Sequence, residues 1–262
     1  MKRLRRGRRP LVCSLFAMAV VWGFASEGLA TSLLYASRGR SLYSLDPQSL
    51  NTAYIGETSP PSGSWHTLAG SPTGMLFAAS GTRSLYSLDP ATASQEYLGE
   101  TNPPTGSWYN LAFSSSGELY ATSGTSSLFQ IDPDTLTQTY VGELGGWGAA
   151  AGSPTGSVAI SGGRSLYSLD THTLQMAYVG ETSPPGGSWR DFAFGADGIL
   201  YAIANTRSLY SIDPQTAAQT YLGETGVIWD TLVGFPIIIP EPSTAPLLGI
   251  GLTALAVRRG AR

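Results

Sequence analysis

The sequence predicts an all-β protein, a five-bladed β-propeller of four-stranded repeats of about 43 residues whose ring is closed by the C-terminal Trp strand. Three observations predict it. The phrase Ser-Leu-Tyr-Ser-Leu-Asp-Pro at 41–47 returns four times with some variation, and its aspartates lie 43, 43, 38 and 43 residues apart. The chain holds 32 glycines and 17 prolines but only 13% charged residues, which favours short strands and tight turns. The strand types also recur in a frame that is offset between the two ends.

One repeat shows how the four strands are predicted. Trp65 to Ala69 is the first strand, Met75 to Ala79 the second, Ser84 to Leu88 the third and Gln95 to Glu100 the fourth. Turns and loops rich in Gly, Pro, Ser and Thr separate them, and the cycle starts again at Trp108. Four antiparallel strands in this length are typical of one propeller blade.

The offset frame predicts how the ring closes. The chain begins with a second strand near Leu33 and ends with a lone first strand, Trp229 to Gly234. We expect this last strand to pair into the blade of Leu33 to Glu57, which closes a ring over about 32–235 and leaves few exposed strand edges. An open β-solenoid is the alternative, and the offset ends disfavour it.

The N-terminal segment has the pattern of an export signal. A positive stretch from Lys2 to Arg9 is followed by an apolar run from Leu11 to Ala25 and by Glu27-Gly28-Leu29-Ala30. This predicts a secretory signal peptide over 1–30, with cleavage after Ala30. A membrane anchor is the alternative, but the run is short for a span. The only cysteine, Cys13, lies inside this signal, so the mature protein would have no disulfide.

The C-terminal segment contains three elements in a fixed order. They are the triplet Pro240-Glu241-Pro242, an apolar stretch from Leu247 to Val257, and the basic cluster Arg258, Arg259 and Arg262. This pattern resembles a PEP-CTERM sorting signal over 239–262. The resemblance implies a temporary inner-membrane anchor that an exosortase-type enzyme removes, in Gram-negative bacteria that make exopolysaccharide. An ordinary C-terminal anchor is the alternative, and either one places the body, 31–238, outside the inner membrane.

The charge of the body excludes one class of partner. Between residues 31 and 257 there are six arginines, no lysine and 17 acidic residues, a formal charge near −11. Nucleic-acid binding depends on basic patches, so neither DNA nor RNA is expected as a partner.

The predicted face that carries the loops after strands two and four holds the candidate ligand site. Arginines precede the third strand, glutamates end the fourth strand, and tryptophans open the first strand near the rim. Arg–Glu pairs that tie each loop are one interpretation, and polar-aromatic pockets suited to sugar rings are the other. The candidate ligand-binding residues are Trp65, Trp108, Trp189, Trp229, Arg40, Arg83, Arg164 and Arg207.

Other motifs are expected to be structural. The Asp-Pro pairs, such as Asp46-Pro47, predict turns rather than calcium sites, and the aromatic residues of the third strands predict blade-to-blade core. His66 and His172 have no partner at metal-ligand spacing, so neither a metal nor a cofactor is expected. Asp191 and Asp230 are the only acids on the Trp strands, which makes the channel mouth the place to look for catalysis.

We therefore expect an exported, non-catalytic binding or matrix protein, a monomer, with extracellular polysaccharide as its partner. The alternatives are a glycoside-cleaving enzyme with two carboxylates about 5–10 Å apart at the channel mouth and a purely structural envelope protein.

Overall fold

The computed structural model describes residues 33–80, 83–124, 127–143, 148–173 and 175–235. The predicted signal peptide, 1–30, and the sorting motif at 240–242 lie outside these residues. The described part of the chain contains no helix that is long and apolar enough to cross a membrane.

The regular secondary structure of the described residues consists of twenty strands and a 3-10 turn at Pro185–Gly187. In chain order these are β1 (Leu34–Arg38), β2 (Ser41–Leu45), β3 (Thr52–Glu57), β4 (Thr67–Gly70), β5 (Leu76–Ala79), β6 (Ser84–Leu88), β7 (Gln95–Glu100), β8 (Trp108–Phe113), β9 (Leu119–Ser123), β10 (Ser127–Ile131), β11 (Gln138–Glu143), β12 (Ala150–Gly152), β13 (Ser157–Gly162), β14 (Ser165–Asp170), β15 (Met176–Glu181), β16 (Trp189–Phe194), β17 (Leu200–Ala204), β18 (Ser208–Ile212), β19 (Gln219–Glu224) and β20 (Thr231–Val233).

The strands form five four-stranded antiparallel sheets arranged as a five-bladed β-propeller. From the axis outward, blade 1 is β20-β1-β2-β3, blade 2 is β4 to β7, blade 3 is β8 to β11, blade 4 is β12 to β15 and blade 5 is β16 to β19. The last strand, β20, pairs with β1, with Val233 opposite Tyr35 and Leu232 opposite Ala36. The predicted fold class and ring closure are confirmed.

The first strands begin later than the sequence predicts in three blades, at Thr67, Ala150 and Thr231 instead of at the tryptophans. In blades 1 and 2 the cause is a bulge directly after the tryptophan. In blade 2, the peptide N–H of His66 donates to the carbonyl of Ala79, while Thr67 is also paired opposite Ala79. Two consecutive residues therefore share one partner, as in a β-bulge, and the ladder becomes regular only after them.

In blades 1, 2, 3 and 5, aromatic rings cross the sheet from the tryptophan of the first strand to the outer strand. In blade 2, the rings of Trp65 and Tyr86 are 5.3 Å apart, and those of Tyr86 and Tyr97 are also 5.3 Å apart. The apolar clusters extend across neighbouring blades, since Leu42 of blade 1 belongs to the same cluster as Trp65 and Leu76 of blade 2. The third-strand aromatics thus lie at the blade interfaces, as predicted.

The outer strands are latched from blade to blade. Gln95 at the start of β7 accepts a hydrogen bond from the N–H of Ser59, at 2.6 Å, and donates to its carbonyl, at 3.2 Å. Gln219 makes the same pair of bonds with Ser183 at the seam between blades 4 and 5. Each latch satisfies two backbone groups of a loop with one side chain, which holds the Pro-Pro loop against the next blade.

The inner strands β4, β8, β12, β16 and β20 lie side by side around the axis. They approach so closely that only about 20 Å³ of space is left between them. Glycine permits this approach: a Cβ on Gly152 would overlap the carbonyl of Phe113, and one on Gly234 would overlap the carbonyl of Phe194. The propeller therefore has a closed centre rather than an open channel.

We expect Gly152→Ala to destabilise the protein by about 1–3 kcal/mol or more, because the added methyl group cannot be accommodated without moving the backbone of β8. Gly163→Ala is the control. Its φ of +65° strains alanine, but the surrounding space is open, so about 1 kcal/mol is expected. Urea unfolding of both variants measures the difference, and equal losses would contradict the closed centre.

Candidate functional site

The four tryptophans predicted to stack on a ligand are core residues, so that prediction is wrong. Trp65, Trp108, Trp189 and Trp229 are at most 2% exposed. The indole N–H of Trp65 donates to the hydroxyl of Thr58 at 2.8 Å, and the other three make the equivalent bond at 2.7 to 2.9 Å. Their faces pack on neighbouring rings within the protein, and no face is left for a sugar. Trp147 lies outside the described residues.

The arginines before the third strands are exposed on what we call the upper face, which carries the loops after strands two and four. The backbone carbonyl groups of these arginines accept hydrogen bonds within the fold. The N–H and the hydroxyl of Thr58 both donate to the carbonyl of Arg40, at 2.8 and 2.6 Å. The same pair of bonds reaches the carbonyls of Arg83, Arg164 and Arg207. That their side chains bind a ligand stays a prediction.

The predicted Arg–Glu pairs do not form. Within the described residues, the one ion pair is between Arg190 and Asp230, at 2.7 Å. In blades 3, 4 and 5 the glutamate that ends the outer strand instead accepts a hydrogen bond from a serine hydroxyl, such as that from Ser208 to Glu224 at 2.8 Å. Antiparallel pairing explains this, because each glutamate lies directly opposite the serine that starts the third strand.

The Asp-Pro turns are structural, as predicted. Asp46 accepts hydrogen bonds from the N–H of Gln48 at 2.9 Å and from the hydroxyl of Ser49 at 2.7 Å. The bond from Ser49 contributes most to holding the pKa of Asp46 below its ordinary value. The described part of the chain contains no group of three or more potential metal ligands.

Non-repeating polar residues lie at the mouth of the closed axis on the upper face. The guanidinium of Arg190 donates to the carboxylate and the carbonyl of Asp230 and to the side chain of Asn205, at 2.7 to 3.0 Å. The second carboxylate oxygen of Asp230 accepts from the N–H of Gly39 at 2.7 Å. The group joins blade 5 to blade 1, so its arrangement fits a clamp on the ring closure.

Asp191, the other acid of the Trp strands, is buried beside the axis. Its two carboxyl oxygens accept from the N–H groups of Phe192 and Leu232, at 2.9 and 2.8 Å. The equivalent residue of blade 2, Thr67, accepts from the N–H of Leu111 at 2.8 Å in the same way. Burial raises the pKa of Asp191 to about 8, against the lowering effect of the two N–H groups. Asp191 therefore serves as a bridge between adjacent inner strands.

A second set of residues, which sequence reasoning missed, lies on the outermost strands. Five tyrosines are 53–57% exposed at equivalent positions of the five blades, and each lies three residues before a glutamate that ends its strand. Their rings pack edge-on or tilted against the aromatic residue directly opposite on the third strand, with centroids 5.3 to 5.6 Å apart. We call these tyrosines with their glutamates the rim sites: Tyr54 and Glu57, Tyr97 and Glu100, Tyr140 and Glu143, Tyr178 and Glu181, and Tyr221 and Glu224.

In three rim sites the phenol hydroxyl donates to the glutamate. The distances are 3.3 Å for Tyr140, 3.2 Å for Tyr178 and 3.1 Å for Tyr221. A rim site thus presents an aromatic ring and a carboxylate side by side at the perimeter of the propeller. The sequence signal was the spacing Tyr-x-x-Glu in every repeat, together with the fact that an outermost strand has no further strand to cover it.

Solved structures match the chain at low sequence identity. A symmetrical protein from work on de novo evolutionary emergence and folding constraints superimposes with a TM-score of 0.58, at 15% identity, over 78% of this chain and 98% of that one. Virginiamycin B lyase from Staphylococcus aureus and a streptogramin B lyase give TM-scores of 0.46 and 0.48, at 9% and 13% identity. They match over 70% and 72% of this chain and over 62% and 64% of their own lengths. At 15% identity, the first likeness concerns the fold alone.

No protein-family model matches the chain, and no curated protein matches it.

The buried carboxyl of Asp191 gives a prediction on pH. Its pKa in the folded protein, about 8, lies above the ordinary value of 3.8, so the stability it contributes is full below about pH 4 and is lost as the pH rises to about 8. The variant Asp191→Thr has the residue that blade 2 has at this position, Thr67. Threonine does not titrate, so the loss of stability with rising pH should disappear, while its hydroxyl still accepts from the N–H of Leu232. The difference in the free energy of unfolding between the two proteins should therefore change by up to about 1.4 kcal/mol per pH unit over this window. Urea unfolding between about pH 4 and pH 9 measures it, and parallel pH profiles would contradict the assignment.

Proposed function

We propose that this protein is an exported, non-catalytic carbohydrate-binding module whose five rim sites engage a repeating extracellular polysaccharide. The observation that carries the proposal is the fivefold repetition of a half-exposed tyrosine beside a carboxylate. Tyrosine has an apolar ring on which the C–H face of a sugar packs, and the neighbouring glutamate accepts hydrogen bonds from sugar hydroxyls.

The charge of the body points to the kind of polysaccharide. The formal charge near −11 between residues 31 and 257 repels an anionic polymer. The glutamate of each rim site adds a negative charge beside the ring. A neutral glycan, or one that carries amino groups, fits this surface better than an acidic one.

The arrangement of the rim sites suits a polymer better than a single sugar. An exposed ring and one carboxylate bind weakly, but sites that engage one chain at the same time raise the overall affinity by about 10²–10⁴-fold. The five sites lie on the outermost strands of five blades around one ring, so a flexible polysaccharide that follows the perimeter meets successive copies of the same site.

Binding is favoured over cleavage because of how the acids on the Trp strands are used. Both oxygens of Asp191 hold backbone N–H groups, and Asp230 is held by Arg190 and Gly39. A glycosidase needs one carboxylic acid and one carboxylate that face a shared substrate space. The closed axis, with about 20 Å³ of space, has no room for a sugar substrate.

The rim proposal is tested by replacing the five tyrosines with alanine, singly and together. We expect single variants to lose about 2–5-fold in affinity and the fivefold variant at least 100-fold, because the sites act together. Tyr109→Ala is the matched control, since Tyr109 is 58% exposed but lies on the upper face. Affinity electrophoresis in gels that contain neutral polysaccharides measures retention, with circular dichroism to confirm folding. Retention of the fivefold variant equal to that of the wild type would overturn the proposal, and no retention of any protein would favour the structural alternative.

Export and sorting are part of the proposal and have a separate test. The signal-like segment 1–30 and the resemblance of 239–262 to a PEP-CTERM signal support them. In a host that has an exosortase-type enzyme, we expect the released protein to begin at Thr31 and to lack the C-terminal arginines. Replacing Pro240, Glu241 and Pro242 with alanine should keep the protein in the membrane fraction. Mass spectrometry of the two fractions decides, and release of the alanine variant at the wild-type level would count against sorting.

A further inference from the structure

The second strands carry an aromatic residue at one equivalent position in four blades and alanine in the other. The positions are equivalent because each residue is paired with the fourth residue of the third strand in its blade. The four aromatic residues are Tyr35, Phe77, Tyr120 and Tyr201, and blade 4 has Ala159.

The aromatic rings fill the seams between blades. Phe77 of blade 2 contacts Phe113 of blade 3, with ring centroids 5.0 Å apart. Tyr120 of blade 3 reaches across to blade 4, where its hydroxyl donates to the carbonyl of Thr171 at 3.3 Å. Tyr201 of blade 5 packs in the cluster that includes Leu45 of blade 1. Each ring therefore points from its own blade toward the next one.

At the seam between blades 4 and 5 this ring is missing, and a cavity of about 360 Å³ takes its place. Ala159 and Phe194 line the cavity, together with Ser168, Pro214 and Gln215. It opens between the loops that follow the first and third strands, on the face opposite the upper face. Two other surface pockets, of about 380 and 460 Å³ near β10 and β18, have no lining residue from an inner strand. The cavity at Ala159 differs from them because it reaches Phe194 of the inner strand β16.

We propose that this seam cavity is a binding site for a small molecule that ends in a phenol ring. The pseudo-fivefold symmetry defines the ligand class, because the cavity includes the position that an aromatic side chain occupies in the other seams, a tyrosine in three of them. Thr171 follows Asp170 in the turn of blade 4, and the equivalent residue after Asp213 in blade 5 is Pro214, which lines the cavity. A phenol placed like the ring of Tyr120 would therefore donate its hydroxyl to the carbonyl of Pro214.

The lining combines apolar and polar groups, as sites for small molecules commonly do. Phe194 and Ala159 are 3% and 5% exposed and give the cavity an apolar wall. Ser168, Gln215 and Asp197, whose carboxylate accepts from the hydroxyl of Tyr201, are its polar groups. A volume near 360 Å³ is in the range of small-molecule sites. Because neighbouring sheets pack about 10 Å apart, the space between them admits one flat ring more readily than a bulky saturated one. This site is separate from the rim sites, and the inference does not depend on the proposed function.

The probe is 4-methylphenol, which is the tyrosine side chain as a free molecule. With the full-length protein, isothermal titration calorimetry should show one site with a dissociation constant of about 1 mM, the range expected when one small ring is buried. The variant Ala159→Tyr restores the missing ring. It should bind at least 10-fold more weakly and should unfold at a higher temperature than the wild type, because the cavity is filled.

Two further variants make the test specific. Tyr120→Ala opens an equivalent cavity at the seam between blades 3 and 4, so it should bind a second molecule of 4-methylphenol. If Ala159→Tyr does not fold, Ala159→Leu fills part of the cavity and should still weaken binding. The variant without the five rim tyrosines should bind 4-methylphenol like the wild type, which separates this site from the polysaccharide site. No binding to the folded wild type, or unchanged binding to the filled variants, would overturn the proposal.

Discussion

The structure depends on a short chain of hydrogen bonds at the seams between blades. At four seams a threonine hydroxyl accepts from a tryptophan indole and donates to the carbonyl of an arginine, as Thr58 does between Trp65 and Arg40. The threonine and the arginine belong to one blade and its outgoing loop, and the tryptophan opens the next blade. A buried indole N–H without a partner would cost about 1–3 kcal/mol, so the threonine sets where each new blade starts. The sequence has Ser126 and Leu144 at the corresponding positions of the remaining seam, outside the described residues.

These bonds also explain which parts of the molecule could be predicted from the sequence. The third strand and its turn repeat almost without change, so Ser84 to Leu88 and the caps at Asp46 and its equivalents follow from local pattern and turn chemistry. The direction of the tryptophans does not follow from pattern, because a ring at the start of a strand can point to solvent or to the seam. What decides is Thr58, seven residues earlier in the chain, and the sequence does not show that the two side chains meet.

The exposure of the rim tyrosines also could not be predicted from local sequence pattern. Tyr54 and Tyr43 are both strand aromatics with the same local preference, and they lie directly opposite each other in the sheet. Only the position of the strand within the blade separates them, since β3 has no strand on its outer side. In this propeller, an aromatic side chain on the third strand is therefore more buried than one on the outermost strand. The gap at Ala159 follows from the register of the second strands, which places Ala159 where the other blades have an aromatic residue.

The closed centre has little space for a ligand, and both proposed kinds of site lie away from it, at the perimeter and at one seam. Glycines such as Gly152 and Gly234 let the inner strands approach until no channel is left, and Asp191 bridges two of those strands. The fold therefore makes little use of the axis, where many ring-shaped proteins would place a unique site. Sites that keep the fivefold symmetry suit a repeating ligand, because every blade offers the same contact. A site that breaks the symmetry, as the substitution of one ring by Ala159 does, suits a single small molecule. The two kinds of site impose different demands on the same repeat. The proposed rim sites would tolerate a sequence change in any one blade, whereas the proposed seam site would be lost if blade 4 had an aromatic residue at position 159.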